Sequence, residues 1–111
     1  MHAKIYHNPR CSKSRATLAL LNEAGADVQV VEYLKTPPSR DELAALLTRA
    51  NLTPREALRT GETEAKPLKT ADDATILDAM AQHPILIERP IVETAKGVVL
   101  ARPPERVHDV L

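Results

Sequence analysis

The sequence predicts an α/β domain, and three successive patterns carry that prediction. Residues 3–7 alternate as a short strand, residues 12–24 show a broad helical apolar face before Gly25, and residues 28–34 are rich in β-branched side chains. A helix between two strands forms a βαβ unit, in which the strands normally run parallel. With 111 residues and 43% apolar content, the chain predicts one domain over residues 1–111.

The middle of the chain predicts helices. Residues 39–42, Ser-Arg-Asp-Glu, form a capping box before Leu residues at helical spacing. A second box, residues 53–56 (Thr-Pro-Arg-Glu), predicts a short helix that ends near Gly61, with Arg59 near its end. Asp72 or Asp73 can cap a third helix. Residues 62–71 between them are polar and aperiodic.

The last third returns to strand patterns. Residues 85–92 are an extended, apolar approach, and residues 95–97 separate them from a second strand at 98–101, which predicts a β-hairpin. Val107 and Val110 then give a terminal helix an apolar stripe. The order βαβ, helices and ββα is that of a thioredoxin-like fold with a helical insertion at about residues 39–82.

Composition excludes several classes of protein. Fifteen basic and fifteen acidic side chains cancel, and Tyr6 and Tyr33 are the only aromatic residues, so neither a basic face nor a stacking platform for nucleic acid is expected. No apolar run is long enough to serve as a signal core or to span a bilayer, so we expect a cytoplasmic protein without membrane contact. One cysteine and four scattered histidines predict no structural metal, disulfide or bound cofactor.

The single cysteine, Cys11, lies in a cationic stretch. Residues 1–22 contain no acidic residue and carry four cations: Lys4, Arg10, Lys13 and Arg15. Cys11 is placed at the start of the first helix, where free amides favour a thiolate and an anion, and Ser14 and Arg15 follow as helix-start residues that help the anion site. The sequence predicts a nucleophilic thiolate. The alternatives are that Cys11 is a small buried apolar residue and that Ser14 only caps the helix.

The spacing around Cys11 excludes two mechanisms. The first is dithiol redox chemistry, because Ser14 replaces the second cysteine of a Cys-x-x-Cys pair. Any disulfide of Cys11 must therefore be made with a thiol from another molecule. The phosphate cradle Cys-x5-Arg of tyrosine phosphatases is absent because position 17 is Thr.

Several blocks of sequence resemble the glutaredoxin-dependent arsenate reductase family (ArsC). They are IYHNPRCSKSRATLALL, YLKTPPSRDEL, REALRTGE, HPILIERPIVE and ARPPE, in the family's order along almost the whole chain. The stretch HNPRCSKSR and the short C-terminus are more similar to the ArsC-like branch than to the best-studied plasmid enzymes, which have Gly-Thr at the positions of Ser12 and Lys13.

The resemblance implies an enzyme that reduces arsenate to arsenite. A cysteine matching Cys11 attacks arsenate to form a thiol-arsenate intermediate, and a histidine matching His7 lowers the thiol pKa. Glutathione then enters as co-substrate, glutaredoxin resolves the mixed thiol species, and arsenite leaves. On sequence alone, His7 could equally be a surface or turn residue.

The resemblance also implies three oxyanion-binding arginines, Arg59, Arg89 and Arg102, and a cis proline at Pro90 facing the cysteine. Planar guanidinium groups suit an oxyanion. Taken alone, Arg59 could be a favourable charge at a helix end and Arg102 a solvated strand end.

Two other functions stay open at this point. The first is a glutathione-linked thiol oxidoreductase without arsenate activity, which Ser12-Lys13 and the short C-terminus permit. The second is a regulator like Spx, which has the same fold and binds RNA polymerase. Those regulators usually carry Cys-x-x-Cys, but here Ser14 stands at the position of the second cysteine, which argues against such a redox switch.

Overall fold

The computed structural model describes all 111 residues and divides the chain into two compact units. The first unit combines residues Met1–Thr36 with Arg89–Leu111, and the second unit is Pro37–Glu88. The predicted helical insertion at about residues 39–82 falls within the second unit.

The first unit begins with the predicted βαβ arrangement. Strand β1 is His2–His7, helix α1 is Ser12–Glu23 and strand β2 is Asp27–Glu32. Strands β1 and β2 are parallel, with Ile5 opposite Val30. The parallel pairing predicted from the strand, helix and strand order is therefore confirmed.

Two further strands complete the sheet of the first unit. Strands β3 (Ile91–Thr94) and β4 (Gly97–Leu100) form the predicted hairpin. Strand β3 also pairs antiparallel with β1, so the sheet order is β2-β1-β3-β4. This mixed sheet confirms the thioredoxin-like fold. The terminal segment Pro104–Val110 is a 3₁₀ helix that buries Val107 and Val110, residues three positions apart, as that helix's three-residue repeat favours.

Helix α1 and the terminal segment pack with the sheet around one apolar cluster. Its buried members are Ala3, Ile5, Leu21, Val92, Val99, Ala101, Val107 and Val110. The buried residues of α1 itself are Ser14, Thr17 and Leu21, whereas Ala16 and Ala19 are exposed. The apolar face predicted for α1 is thus partly wrong, because two hydroxyl residues share the buried stripe. Their hydroxyls tolerate burial because both are hydrogen-bonded.

The second unit contains two α-helices, both predicted from their caps. Helix α2 is Arg40–Arg49, and Ser39 and Glu42 form the reciprocal capping box. Helix α3 is Asp73–Gln82, and the Asp72 side chain accepts a hydrogen bond from the Thr75 amide. None of the helices in either unit is long and apolar enough to cross a membrane.

The short helix predicted after Thr53 is wrong. Thr53 and Glu56 do exchange the two hydrogen bonds of a capping box, but the chain makes only turns. Leu58 forms a β-bridge with Ile87 and the Arg59 amide donates to the carbonyl of Leu86. This pairing takes the backbone out of helical geometry after one turn.

Two short 3₁₀ helices were not predicted. Thr63–Leu68 lies in the stretch interpreted as aperiodic, and Pro84–Leu86 lies where an extended approach was expected. The Arg55 side chain donates hydrogen bonds to the carbonyls of Leu68, Lys69 and Ala71 at the end of the first of them. A single side chain therefore satisfies carbonyls that a 3₁₀ end leaves open.

Candidate active site

Cys11 is the N-cap residue of α1 in the first unit. The chain leaves β1 at His7, turns through Asn8-Pro9, and the Cys11 amide donates a 3.0 Å hydrogen bond to the carbonyl of Asn8. Cys11 has extended backbone angles, as an N-cap residue requires, and its side chain is half-buried. The thiol thus lies at the positive end of a twelve-residue helix and stays accessible.

The environment lowers the pKa of the Cys11 thiol. Burial raises that pKa, but the backbone amides of Ser14 and Lys13 and the positive charge of Arg89 lower it by more. The Sγ atom makes no capping hydrogen bond of ordinary geometry. The amides of Ser14 and Lys13 therefore act mainly by stabilising the thiolate relative to the thiol. The net result is a pKa below the ordinary 9.0, as a nucleophilic thiolate requires.

Arg89 contacts the thiol from the segment before β3. Its guanidinium lies close enough to the sulfur to lower the thiol pKa, both as a positive charge and as a hydrogen-bond donor to the thiolate. The Arg89–Pro90 peptide bond is cis, the isomer that the resemblance implies. Arg102 belongs to the same neighbourhood, because its Nη1 donates a 3.2 Å hydrogen bond to the backbone carbonyl of Arg89. The first unit therefore brings Cys11, Arg89, Pro90 and Arg102 together.

His7 is buried, and its ring contacts the Ser14 hydroxyl; no direct contact with the Cys11 sulfur is found. Its Nδ1 lies 2.6 Å from the Ser14 hydroxyl, which is also 3.0 Å from the amide of Asn8. Burial lowers the pKa of His7 below its ordinary 6.5; the carboxylate of Glu32 opposes this effect and Arg15 adds to it. The burial of His7 therefore favours the neutral ring.

The cations next to Cys11 in sequence are exposed. The Arg15 guanidinium donates a 2.9 Å hydrogen bond to the carbonyl of Pro9 and so braces the turn before the thiol. Arg10 and Lys13 are exposed, and neither forms an ion pair. These side chains give the helix start a positive surface.

Arg59 belongs to the second unit, where a carboxylate holds it. Its Nε lies 3.1 Å from Glu62, and both side chains are about one quarter exposed, at 25% and 23%. Because the helix predicted after Thr53 is absent, Arg59 does not lie at a helix C-terminus. Its role in oxyanion binding stays a prediction.

Sequence reasoning missed several residues that shape the site. Asn8 links the turn through its amide, its carbonyl and its side chain, which accepts from the Arg10 amide; the only sequence signal was the Asn-Pro turn. The burial of Ser14 had no signal, since a serine near a helix start normally caps or faces solvent. Glu62 had one, its i, i+3 spacing from Arg59. No group of three or more His, Cys, Asp or Glu residues is placed to hold a metal ion.

A mixed four-stranded sheet with one cysteine of lowered pKa at the first helix start defines a thioredoxin-like protein with a single accessible thiol. Residues 6–110 match the model of the ArsC family. The chain belongs to that family.

Comparison with individual proteins agrees with this assignment. The chain is 50% identical to the arsenate reductase of Rhizobium meliloti (strain 1021), over 100% of this chain and 82% of the relative. It is 42% identical to the arsenate reductase of Escherichia coli (strain K12), over 96% of this chain and 79% of the relative. The solved arsenate reductase from Vibrio cholerae superimposes with a TM-score of 0.93 at 45% identity, covering 100% of this chain and 98% of the other.

Proposed function

We propose that this protein is an arsenate reductase that reduces arsenate to arsenite with electrons from glutathione and glutaredoxin. The similar proteins named arsenate reductase support the substrate. The observation that carries the proposal is the Cys11 thiol at the α1 N-terminus, whose pKa is lowered by two backbone amides and Arg89 despite burial. A thiolate with donors beside it can attack an oxyanion while its oxygens are held.

The first chemical step uses Cys11 as the nucleophile. Its sulfur forms a bond to arsenic, and one arsenate oxygen leaves as water after protonation. Arg89 lies beside the sulfur, so it can hold an arsenate oxygen as that bond forms. The resemblance adds Arg102 and Arg59 as further oxyanion ligands. Ser14 and Arg15 are proposed to support the anion site from the helix start.

Reduction then needs two electrons, which two thiols supply. Arsenate and two thiols give arsenite, one disulfide and one water. Since this chain has one cysteine, its thiol cannot form an intrachain disulfide, and the second thiol must come from outside. Glutathione fits that requirement as co-substrate, with glutaredoxin returning Cys11 to the free thiol. Because this chemistry needs a reducing, glutathione-rich compartment, we propose a cytoplasmic location.

The test is arsenate-dependent consumption of NADPH, coupled through glutathione, glutaredoxin and glutathione reductase, for wild type and Cys11→Ser. Turnover by the wild type alone is expected. Omitting glutaredoxin from the same assay tests the proposed reductant. A folded wild type that alkylates rapidly at Cys11 but turns over no arsenate would overturn the arsenate assignment and favour a thiol oxidoreductase with another substrate.

A further inference from the structure

The hydroxyl of Ser14 has no exposure to solvent and two hydrogen-bonding neighbours. Ser14 is 0% exposed, and its Oγ lies 2.6 Å from His7 Nδ1 and 3.0 Å from the Asn8 amide nitrogen. A buried hydroxyl without a proper partner is destabilising, so the two contacts must have mutually consistent donors and acceptors.

The directions follow from the chemistry of the three groups. An amide N–H can only donate, so Ser14 Oγ accepts from Asn8. The hydroxyl proton then needs an acceptor, and His7 Nδ1 is the one hydrogen-bonding partner of Ser14 that can provide it. An imidazole nitrogen that accepts carries no proton, so the proton of His7 is on Nε2.

We propose that His7 acts as a positioning residue in its neutral Nε2–H form, by accepting the Ser14 hydroxyl proton and so fixing the turn that presents Cys11. In this role His7 still lowers the thiol pKa, as the resemblance implies, but it does so indirectly, by holding Ser14 and the turn. The burial that lowers the pKa of His7 agrees with a neutral ring, with Glu32 opposing and Arg15 assisting.

The hydrogen bonds connect His7 to the thiol through two routes. Ser14 supplies one of the amides that lower the pKa of Cys11, and its hydroxyl fixes that residue against β1. Asn8 receives the Cys11 amide on its carbonyl and donates its own amide to Ser14. Loosening the contact between His7 and Ser14 therefore displaces both the turn and an amide that stabilises the thiolate.

The decisive measurement is the tautomer of His7 in the wild-type protein at pH 7, by long-range proton–nitrogen NMR of the imidazole ring. A protonated Nε2 with an unprotonated Nδ1 is expected. A proton on Nδ1, or an imidazolium ring, would overturn the proposal. This measurement requires no arsenate, so its outcome does not depend on the proposed function.

A set of variants tests the positioning role through the pH midpoint of Cys11 alkylation by iodoacetamide. His7→Leu and Ser14→Ala each remove the contact and should raise the midpoint by about 1 pH unit, since one unit corresponds to about 1.4 kcal/mol, the size of one hydrogen bond. His7→Asn keeps a neutral acceptor near the position of Nδ1, so it should shift the midpoint by less than half as much.

Thr17→Val is the matched control, because Thr17 is a second buried hydroxyl of α1 whose only side-chain hydrogen bond goes to the Lys13 carbonyl. It should leave the midpoint unchanged. Equal shifts for His7→Asn and His7→Leu would mean that an acceptor at the position of Nδ1 does not support the thiolate and would overturn the proposal. The part that concerns turnover rests on the proposed function: kcat/KM for arsenate should fall in the order of the midpoint shifts, and absence of wild-type turnover would reject the function while leaving the NMR result intact.

Discussion

In the first unit, the contacts that shape the site join residues from different elements, whereas the caps that start the two α-helices of the second unit lie within one turn. Cys11 lies beside Arg89, which is 78 positions later in the sequence. His7 at the end of β1 contacts Ser14 in α1. In the second unit, Ser39 with Glu42 is a pair at i, i+3 spacing. Local spacing can be detected in a sequence, but contacts between distant residues cannot. The two α-helices of the second unit were therefore predictable, whereas the side-chain contacts of the site in the first unit were not.

The largest expected effect lies in the first unit. Cys11→Ser should reduce arsenate turnover to background, because a hydroxyl at this position does not ionise near neutral pH and cannot replace the thiolate. The coupled NADPH assay measures the loss, and circular dichroism should show unchanged secondary structure. Retained turnover in the variant would place the nucleophile elsewhere.

The pH dependence of the thiol sharpens this prediction. Only the thiolate reacts with iodoacetamide, so the alkylation rate rises as the pH passes through the thiol pKa. Because the Cys11 pKa is lowered, half of the maximal rate should be reached below pH 9.0. A midpoint at or above the ordinary value would contradict the described environment.

Arg89→Ala should have the next largest effect, because Arg89 is the one of the three predicted oxyanion-binding arginines that also acts on the thiol. We expect kcat/KM for arsenate to fall by roughly 10²-fold, as for loss of one oxyanion donor. The alkylation midpoint should rise, but the plateau rate above that midpoint should not change. A lower plateau would indicate misfolding instead, and Arg106→Ala, at an exposed arginine, is the surface control.

Arg59→Ala tests whether the second unit contributes to the reaction. Loss of one charge-assisted hydrogen bond, roughly 1.5 kcal/mol, should lower kcat/KM for arsenate by about tenfold. The alkylation midpoint of Cys11 should stay at the wild-type value, since Arg59 is not among the groups that shift it. An unchanged kcat/KM would exclude Arg59 as an oxyanion ligand.

The smallest effects concern stability of the second unit. Ser39→Ala removes the cap of α2 and should cost about 1 kcal/mol of unfolding free energy. Thr53→Ala removes the same kind of box from a single turn and should cost less, because no helix depends on it. Urea denaturation measures the unfolding free energy of both variants. Equal losses of unfolding free energy would contradict the prediction, because they would mean that the single turn contributes as much stability as the capped helix.

The sequence predicted what depends on local spacing and missed what depends on tertiary pairing. The parallel βαβ unit and α2 were predictable because short-range patterns determine them. The helix after Thr53 failed because the bridge between Leu58 and Ile87 overrides a correct capping signal. In the site, Cys11 at a helix start followed from Gly, Pro and apolar spacing alone, but the buried state of Ser14 depends on a strand end that the pattern around it does not reveal.

The hydrogen bond from Arg102 to the Arg89 carbonyl has an energetic consequence for both arginines. Because one side chain supports the main chain of the other, removing Arg102 also alters the pose in which Arg89 meets the thiol. Neighbouring residues that share a support typically show coupling free energies of about 0.5–3 kcal/mol in double-mutant cycles. The two arginines therefore form one cooperative element, and the losses caused by removing each of them will not sum to the loss caused by removing both.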